Sequence, residues 1–139
     1  MLLTIERVSY LRRVALFAAT PDAVLAGLAG ALEEISFDRG DVLMESGALE
    51  DWLFVIVDGE VEVVRPDRVV RLASGSVVGE LAVLDPQERT ATVTAVAPTL
   101  TFRLGKPAFD EALHDRPEIA MGVITELVRR LREAHQTAQ

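Results

Sequence analysis

Hydrophobic positions change their spacing twice along this chain, and the changes divide it into three stretches. In residues 3 to 17 the apolar positions Ile5, Val8, Leu11 and Val14 or Ala15 recur at helical intervals. Thr20-Pro21-Asp22 reads as a helix start, with a hydroxyl to cap, proline in the first turn and an acid near the positive dipole end. Val24, Leu25, Leu28, Ala29 and Leu32 give that second helix its stripe. From Ile35 to Leu104 the pattern becomes short runs of Val, Ile, Leu and Phe punctuated by Gly40, Gly47, Gly59, Gly75 and Gly79. Asp58-Gly59, between Leu53–Val57 and Glu60–Val64, is a two-residue hairpin signal. Arg65-Pro66-Asp67-Arg68 makes the next turn, and Thr90 to Ala97 alternates as a half-buried strand does. Pro107 opens a short helix through Leu113. Pro117 opens a longer one striped by Ile119, Val123, Ile124, Leu127, Val128, Leu131 and Ala134. The expected architecture is mainly β: a small antiparallel β-barrel or jelly roll flanked by N- and C-terminal helices. Its expected bounds are helices over 3–34, barrel over 35–105 and C-terminal helices over 107–135, in one domain spanning 1–139.

Composition narrows the chemistry. At 139 residues, half of them hydrophobic, the chain suits a single core. The absence of cysteine excludes disulfides and thiolate metal sites, which fits a reducing, cytoplasmic setting. Met1 to Arg13 holds Glu6 and three arginines without a long apolar run, so no signal peptide is expected, and no uncharged stretch approaches the ~20 residues of a membrane span. The net charge of −8 and a single lysine, Lys106, argue against direct nucleic-acid contact, since the only basic cluster is Arg129, Arg130 and Arg132. His114 and His135 have no metal-ligand spacing, and no Ser or Cys nucleophile stands beside a base, so no enzyme activity, metal or cofactor is expected. Trp52, Phe54 and Phe102 read as core or strand residues, and Asp58, Glu60 and Glu62 as a solvated strand face.

One segment carries specific chemistry. Gly79-Glu80-Leu81-Ala82 offers a backbone that a ligand can approach closely and one carboxylate, and Arg89-Thr90-Ala91 follows with a guanidinium and a hydroxyl. A carboxylate can accept from a ribose hydroxyl, and a guanidinium fork grips a phosphate monoanion with two hydrogen bonds. The amides opening a short helix add partial positive charge. Glu80 read blandly is a strand-edge carboxylate held by nearby amides, Gly79 a turn glycine and Ala82 core filling. Arg89 precedes a half-buried strand, where an unpaired charge is costly, so Glu80, a ligand phosphate or both are expected to answer it.

Val78-Gly79-Glu80-Leu81-Ala82-Val83-Leu84 with Arg89-Thr90-Ala91 resembles the phosphate-binding cassette of the cyclic nucleotide-binding domain family, which includes catabolite activator proteins, protein kinase A regulatory subunits and cyclic-nucleotide-gated channels. The likeness extends to Leu16-Phe17, to Phe37-x-x-Gly40-Asp41-Val42-Leu43 leading to Gly47, and to Asp51 through Val61. It implies a regulatory, signal-transducing module that binds cAMP or cGMP at Gly79, Glu80, Leu81, Ala82, Arg89 and Thr90, with the last helix closing as an allosteric lid. The resemblance places Arg130 where the ribose carboxylate finds an arginine. It places Ala134 and His135 where activators carry two adenine-binding hydroxyls, which this chain lacks. Read blandly, Arg129 to Arg132 is a basic last turn and His135 an exposed helix-end histidine. The resemblance implies that the Thr90 hydroxyl reaches the cyclic phosphate; family members with a hydroxyl here include both adenine and guanine responders, and threonine is similar to the residue that favours guanine. The expected partners are a cyclic nucleotide and either a second copy of the chain or a fused effector domain. Ending at Gln139, the chain is expected to be a stand-alone sensor or a domain of a longer protein. The rival expectation is a structural domain of the same fold that binds no nucleotide and docks through Val123, Leu127 and Leu131. A cupin-like enzyme would need histidine ligands inside the strand region, where there are none.

Overall fold

The structure, a computed structural model, describes residues 3–137. Eight strands form two four-stranded antiparallel sheets of a jelly roll. One sheet is ordered β1 (Glu33–Phe37), β8 (Thr99–Gly105), β3 (Trp52–Asp58), β6 (Val77–Val78). The other is ordered β2 (Val42–Met44), β7 (Thr92–Ala95), β4 (Glu60–Val64), β5 (Val69–Ala73). The expected antiparallel β-rich fold with flanking helices is therefore present, the first strand beginning at Glu33.

Strand β3 explains why its sequence does not alternate. Phe54 and Ile56 pack between the two sheets with Val61, Val63, Val78 and Val93, while Leu53 and Val55 pack against the helical layer with Leu16, Phe17 and Phe102. Both faces are buried, so the run Leu53–Ile56 is apolar throughout. Strand β7 has only one buried face, and its Thr/Val alternation follows from that.

Asp58-Gly59 is a corner, not a hairpin: β3 pairs with β8 and β6, whereas β4 pairs with β5 and β7. The turn carries the chain from one sheet to the other. Gly59 sits at φ +108°, and a side chain there would lie 2.6 Å from the Pro98 carbonyl oxygen. The hairpin is β4–β5, closed by Arg65 N–H donating to the Arg68 carbonyl at 2.8 Å. Across it Arg71 pairs with Glu60 and Glu62, so those acids do form a solvated strand face.

The N-terminal helices are also shorter than their stripes predict. Helix α1 is Thr4–Leu11, which buries Val8 and Leu11 but leaves Ile5 76% exposed. Helix α2 is only Asp22–Leu25, continued by a 3₁₀ turn at Ala29–Ala31, because Gly27 and Gly30 interrupt the stretch with residues of low helix propensity. Thr20 does not cap it. The Thr20 side chain is turned against Gly122, and among the described residues its buried hydroxyl has no hydrogen-bond partner.

Helix α3 is Lys106–Asp115 and helix α4 is Pro117–Thr137, each with proline in its opening turn. The α4 stripe splits in two. Ile119 and Val123 enter the domain's own core, whereas Met121, Ile124, Val128 and Leu131 are exposed, Leu131 at 71%. Val123 is therefore not part of a free docking face. Among the described residues no helix is long and apolar enough to cross a membrane, and no acid and histidine cluster is placed to hold a metal ion.

Candidate functional site

Gly79 ends β6 and begins a 3₁₀ turn, Glu80–Val83, in the left-handed conformation at φ +77°. The turn exists because Gly79 can adopt that conformation and because Ala82 and Val83 are small or apolar enough to bury beneath it. Ala82 and Leu84 N–H close it onto the Gly79 and Leu81 carbonyls, both at 3.0 Å.

Gly79, Glu80, Leu81, Ala82, Arg89 and Thr90 all line one cavity of about 510 Å³, within the roughly 300–1,000 Å³ usual for small-molecule sites. Its apolar walls include Met44, Val63, Leu72, Val78 and Val93, and its rim includes Arg65, Gln87 and Glu88. A broader groove between α1 and α2, lined by Ile5, Val8, Arg12 and Asp22, contains none of the candidate residues.

Arg89 is only 8% exposed, and its charge is answered by a residue that the sequence reading did not select. Its Nε–H donates to Glu50 Oε1 at 3.0 Å, and an Nη2–H donates to the Trp52 carbonyl. Of the two expected answers to this charge, the Glu80 carboxylate is not one: Glu80 does not pair with Arg89. The reason is topological: Arg89 N–H bonds the Ala48 carbonyl and Gly47 N–H bonds the Arg89 carbonyl. These ties bring the segment before β3 alongside Arg89 and deliver Glu50 to it. The third guanidinium nitrogen, Nη1, lies against Gly79, 2.7 Å from where a side-chain carbon would stand.

Glu80 faces the helices instead. Its Oε1 accepts from the Leu16 N–H at 2.5 Å and from Arg130 Nη2 at 3.1 Å. Among the described residues neither contact uses Oε2. Arg130 thus lies beside Glu80, the partner that the resemblance implied for it. Leu81 and Thr90 are exposed at the cavity, while Ala82 is buried. His135 lies on the exposed final turns of α4 and does not line the cavity.

Behind Arg130 stands Glu126, 2% exposed and also unselected by the sequence reading. It accepts from Arg129 at 2.6 and 3.0 Å and from Arg130 at 3.1 Å. The Arg129 hydrogen bonds, set against the cost of burial and aided by the Arg130 bond and both positive charges, hold its carboxyl at about 2, well below the ordinary 4.5. The Arg129 pKa is raised, chiefly by its hydrogen bonds to Glu126. Burial opposes the charge of Arg130, but Glu126 and Glu80 together outweigh it and raise the Arg130 pKa. The signal for Glu126 was available in sequence: an acid three and four residues before two arginines, inside an apolar stripe.

A pH prediction follows from the depressed carboxyl. The unfolded chain binds the Glu126 proton more readily than the native one, so stability rises with pH across that range. The Glu126 contribution is complete above about pH 4.5 and is lost as pH falls through about 2. Melting of the wild type and of Glu126→Gln should show a stability gap that narrows from pH 4.5 downward. A gap that stays constant would mean that Glu126 contributes no ionic stabilisation.

Comparison with known proteins places this geometry. Residues 34–116 match the family model described as cyclic nucleotide-binding domain. The chain is 29% identical over 131 residues to a CRP-like cAMP-activated global transcriptional regulator of Mycobacterium tuberculosis, covering 90% of this chain and 58% of that one. It is 32% identical over 122 residues to a cyclic nucleotide-gated potassium channel of Rhizobium etli, covering 84% and 34%. The chain therefore spans little more than half the length of the first and a third of the second. Among solved structures it is similar to the N-terminal domain of a transcriptional regulator from Streptomyces coelicolor A3(2), with TM-score 0.81, 34% identity and coverage of 94% and 95%. It is also similar to the Thermus thermophilus catabolite activator protein, with TM-score 0.69, 25% identity and coverage of 89% and 61%.

Proposed function

The chain belongs to the cyclic nucleotide-binding domain family, and from that premise we propose that it is a regulatory sensor that binds cAMP or cGMP in the cavity at Gly79–Ala82, Arg89 and Thr90 and signals through α4. The observation that carries this reading is the convergence of all six candidate residues on one open cavity, with Glu80 joined directly to the last helix through Arg130. It acts by binding, without bond-making chemistry, and its similarity to a cAMP-activated regulator and a nucleotide-gated channel agrees with that.

Glu50 and the Trp52 carbonyl keep the buried guanidinium compensated and fixed when no ligand is bound. A cyclic phosphate beside the Gly79–Ala82 backbone meets Nη1 of Arg89. The ribose hydroxyl donates to Glu80, on the oxygen that neither Leu16 nor Arg130 uses. Drawing charge on Glu80 toward the ribose alters its hold on Arg130. The ligand therefore favours one placement of α4 over another and shifts the population between them. Whatever the domain controls receives that shift as its input.

The test is thermal melting with cAMP and with cGMP. A ligand at a hundredfold excess over its Kd stabilises the native state by about 2.7 kcal/mol, so the midpoint should rise by roughly 10 °C. Trp52 is the sole tryptophan, its carbonyl touches Arg89 and its ring lies under Arg103, so its emission should report the same titration. The exposed α4 residues Met121, Ile124, Val128 and Leu131 support a second reading, a docking or homodimerising domain that binds no nucleotide. Midpoints unmoved by either nucleotide would favour it.

A further inference from the structure

We infer that Arg65 reads the base of the bound nucleotide and biases the site toward a 6-oxopurine such as guanine over adenine; this rests on the nucleotide-binding reading above. Strand β4 points Val61 and Val63 into the space between the sheets. Side chains alternate along a strand, so position 65 continues the same inner row. The register Val63↔Val93 and Val64↔Thr92 brings Arg65 alongside Ala91, next in sequence to Thr90 and two residues from Arg89. The inner row of β4 is Val61 and Val63; Arg65, one residue past the end of the strand, continues that row and lines the candidate cavity with Met44, Val63, Leu72 and Val93. Those apolar walls suit the flat faces of a purine.

Arg65 differs from the arginines that are locked in ion pairs. Arg12, Arg71, Arg89, Arg103, Arg129 and Arg130 each hold a carboxylate. Among the described residues, no carboxylate pairs with Arg65. Its side chain is solvated at the cavity mouth, free to turn onto a ligand. A guanidinium only donates hydrogen bonds. Guanine presents two adjacent acceptors, O6 and N7, which a guanidinium takes together. Adenine presents N7 beside an amino donor, and a donor meeting a donor gains nothing. The end of α4 supplies no counterweight, since Ala134 has no polar side chain and His135 does not line the cavity.

The experiment is calorimetric titration of cGMP, cAMP and cyclic inosine monophosphate into the wild type, Arg65→Gln and Arg89→Gln. Cyclic inosine monophosphate keeps O6 and N7 but lacks the 2-amino group that Thr90 could reach. The wild type should bind cGMP and cyclic inosine monophosphate about tenfold more tightly than cAMP. Arg65→Gln, melting like the wild type, should lose about tenfold for those two and about twofold or less for cAMP. A wild-type preference for cAMP would overturn the inference. So would an equal loss for all three ligands, which makes Arg65 a general attractor of anions. A loss confined to cGMP would give the discrimination to the 2-amino group and overturn it too. If Arg89→Gln abolishes binding while Arg65→Gln leaves the ratios untouched, the site stands and the base reading fails. If no ligand binds the wild type, the nucleotide-binding reading itself fails and takes this inference with it.

Discussion

Arg89→Gln should lower cyclic-nucleotide affinity by about 2–5 kcal/mol, roughly thirtyfold to several-thousandfold, in a calorimetric titration. The size follows from the burial of the guanidinium and from its three-way use. One nitrogen is fixed on Glu50, one on the Trp52 carbonyl, and the third is presented beside Gly79. Glutamine carries no charge and cannot span these positions. The substitution also strands Glu50, whose side chain is mostly buried, without its counter-ion, so stability should fall with affinity. The two effects separate in the double variant Arg89→Gln/Glu50→Gln. That variant should regain most of the lost stability and none of the lost affinity. Unchanged affinity in the single variant would remove Arg89 from the site.

Gly79→Ala should cost about 2–5 kcal/mol of stability in a urea titration, and the surviving folded protein should bind nucleotide weakly. A left-handed backbone costs any other residue about 1–2 kcal/mol. The added carbon then meets Arg89 Nη1 at 2.7 Å and the Trp52 carbonyl oxygen at 3.0 Å. Neither can retreat easily, because the two are hydrogen-bonded to each other and Arg89 is bonded to Glu50. Such overpacking typically adds about 1–3 kcal/mol. The displacement falls on the guanidinium proposed to meet the phosphate, so binding should suffer even where folding is retained. A variant as stable as the wild type would show that the turn at Gly79 relaxes freely, and the pre-held geometry of Arg89 would lose its support.

The cassette was legible in the sequence because its chemistry is local: a glycine, a carboxylate and a guanidinium at fixed spacing within a dozen residues. The sheet faces were legible for the same kind of reason, since alternation in Thr92–Ala95 and its absence in Leu53–Ile56 report how many faces are buried. What escaped was decided at long range. Asp58-Gly59 has the composition of a hairpin turn, yet the partners of β3 and β4 are chosen by strands far away in sequence. Glu50 reaches Arg89 only because the chain before β3 is bridged to the chain before β7, and no spacing announces that. Thr20 has the chemistry of a helix cap, yet its side chain fills the space beside Gly122 instead. Glu126 lay in plain view as a helical acid before two arginines but was hidden by the apolar stripe around it.

The Glu80 Oε1 atom receives the Leu16 amide from one side and Arg130 from the other. A single acceptor therefore couples the segments that precede and follow the sheets. Removing that acceptor should weaken the hold on both segments. Substituting Arg130, the side-chain donor of the two, should change how firmly the Leu16 segment is held.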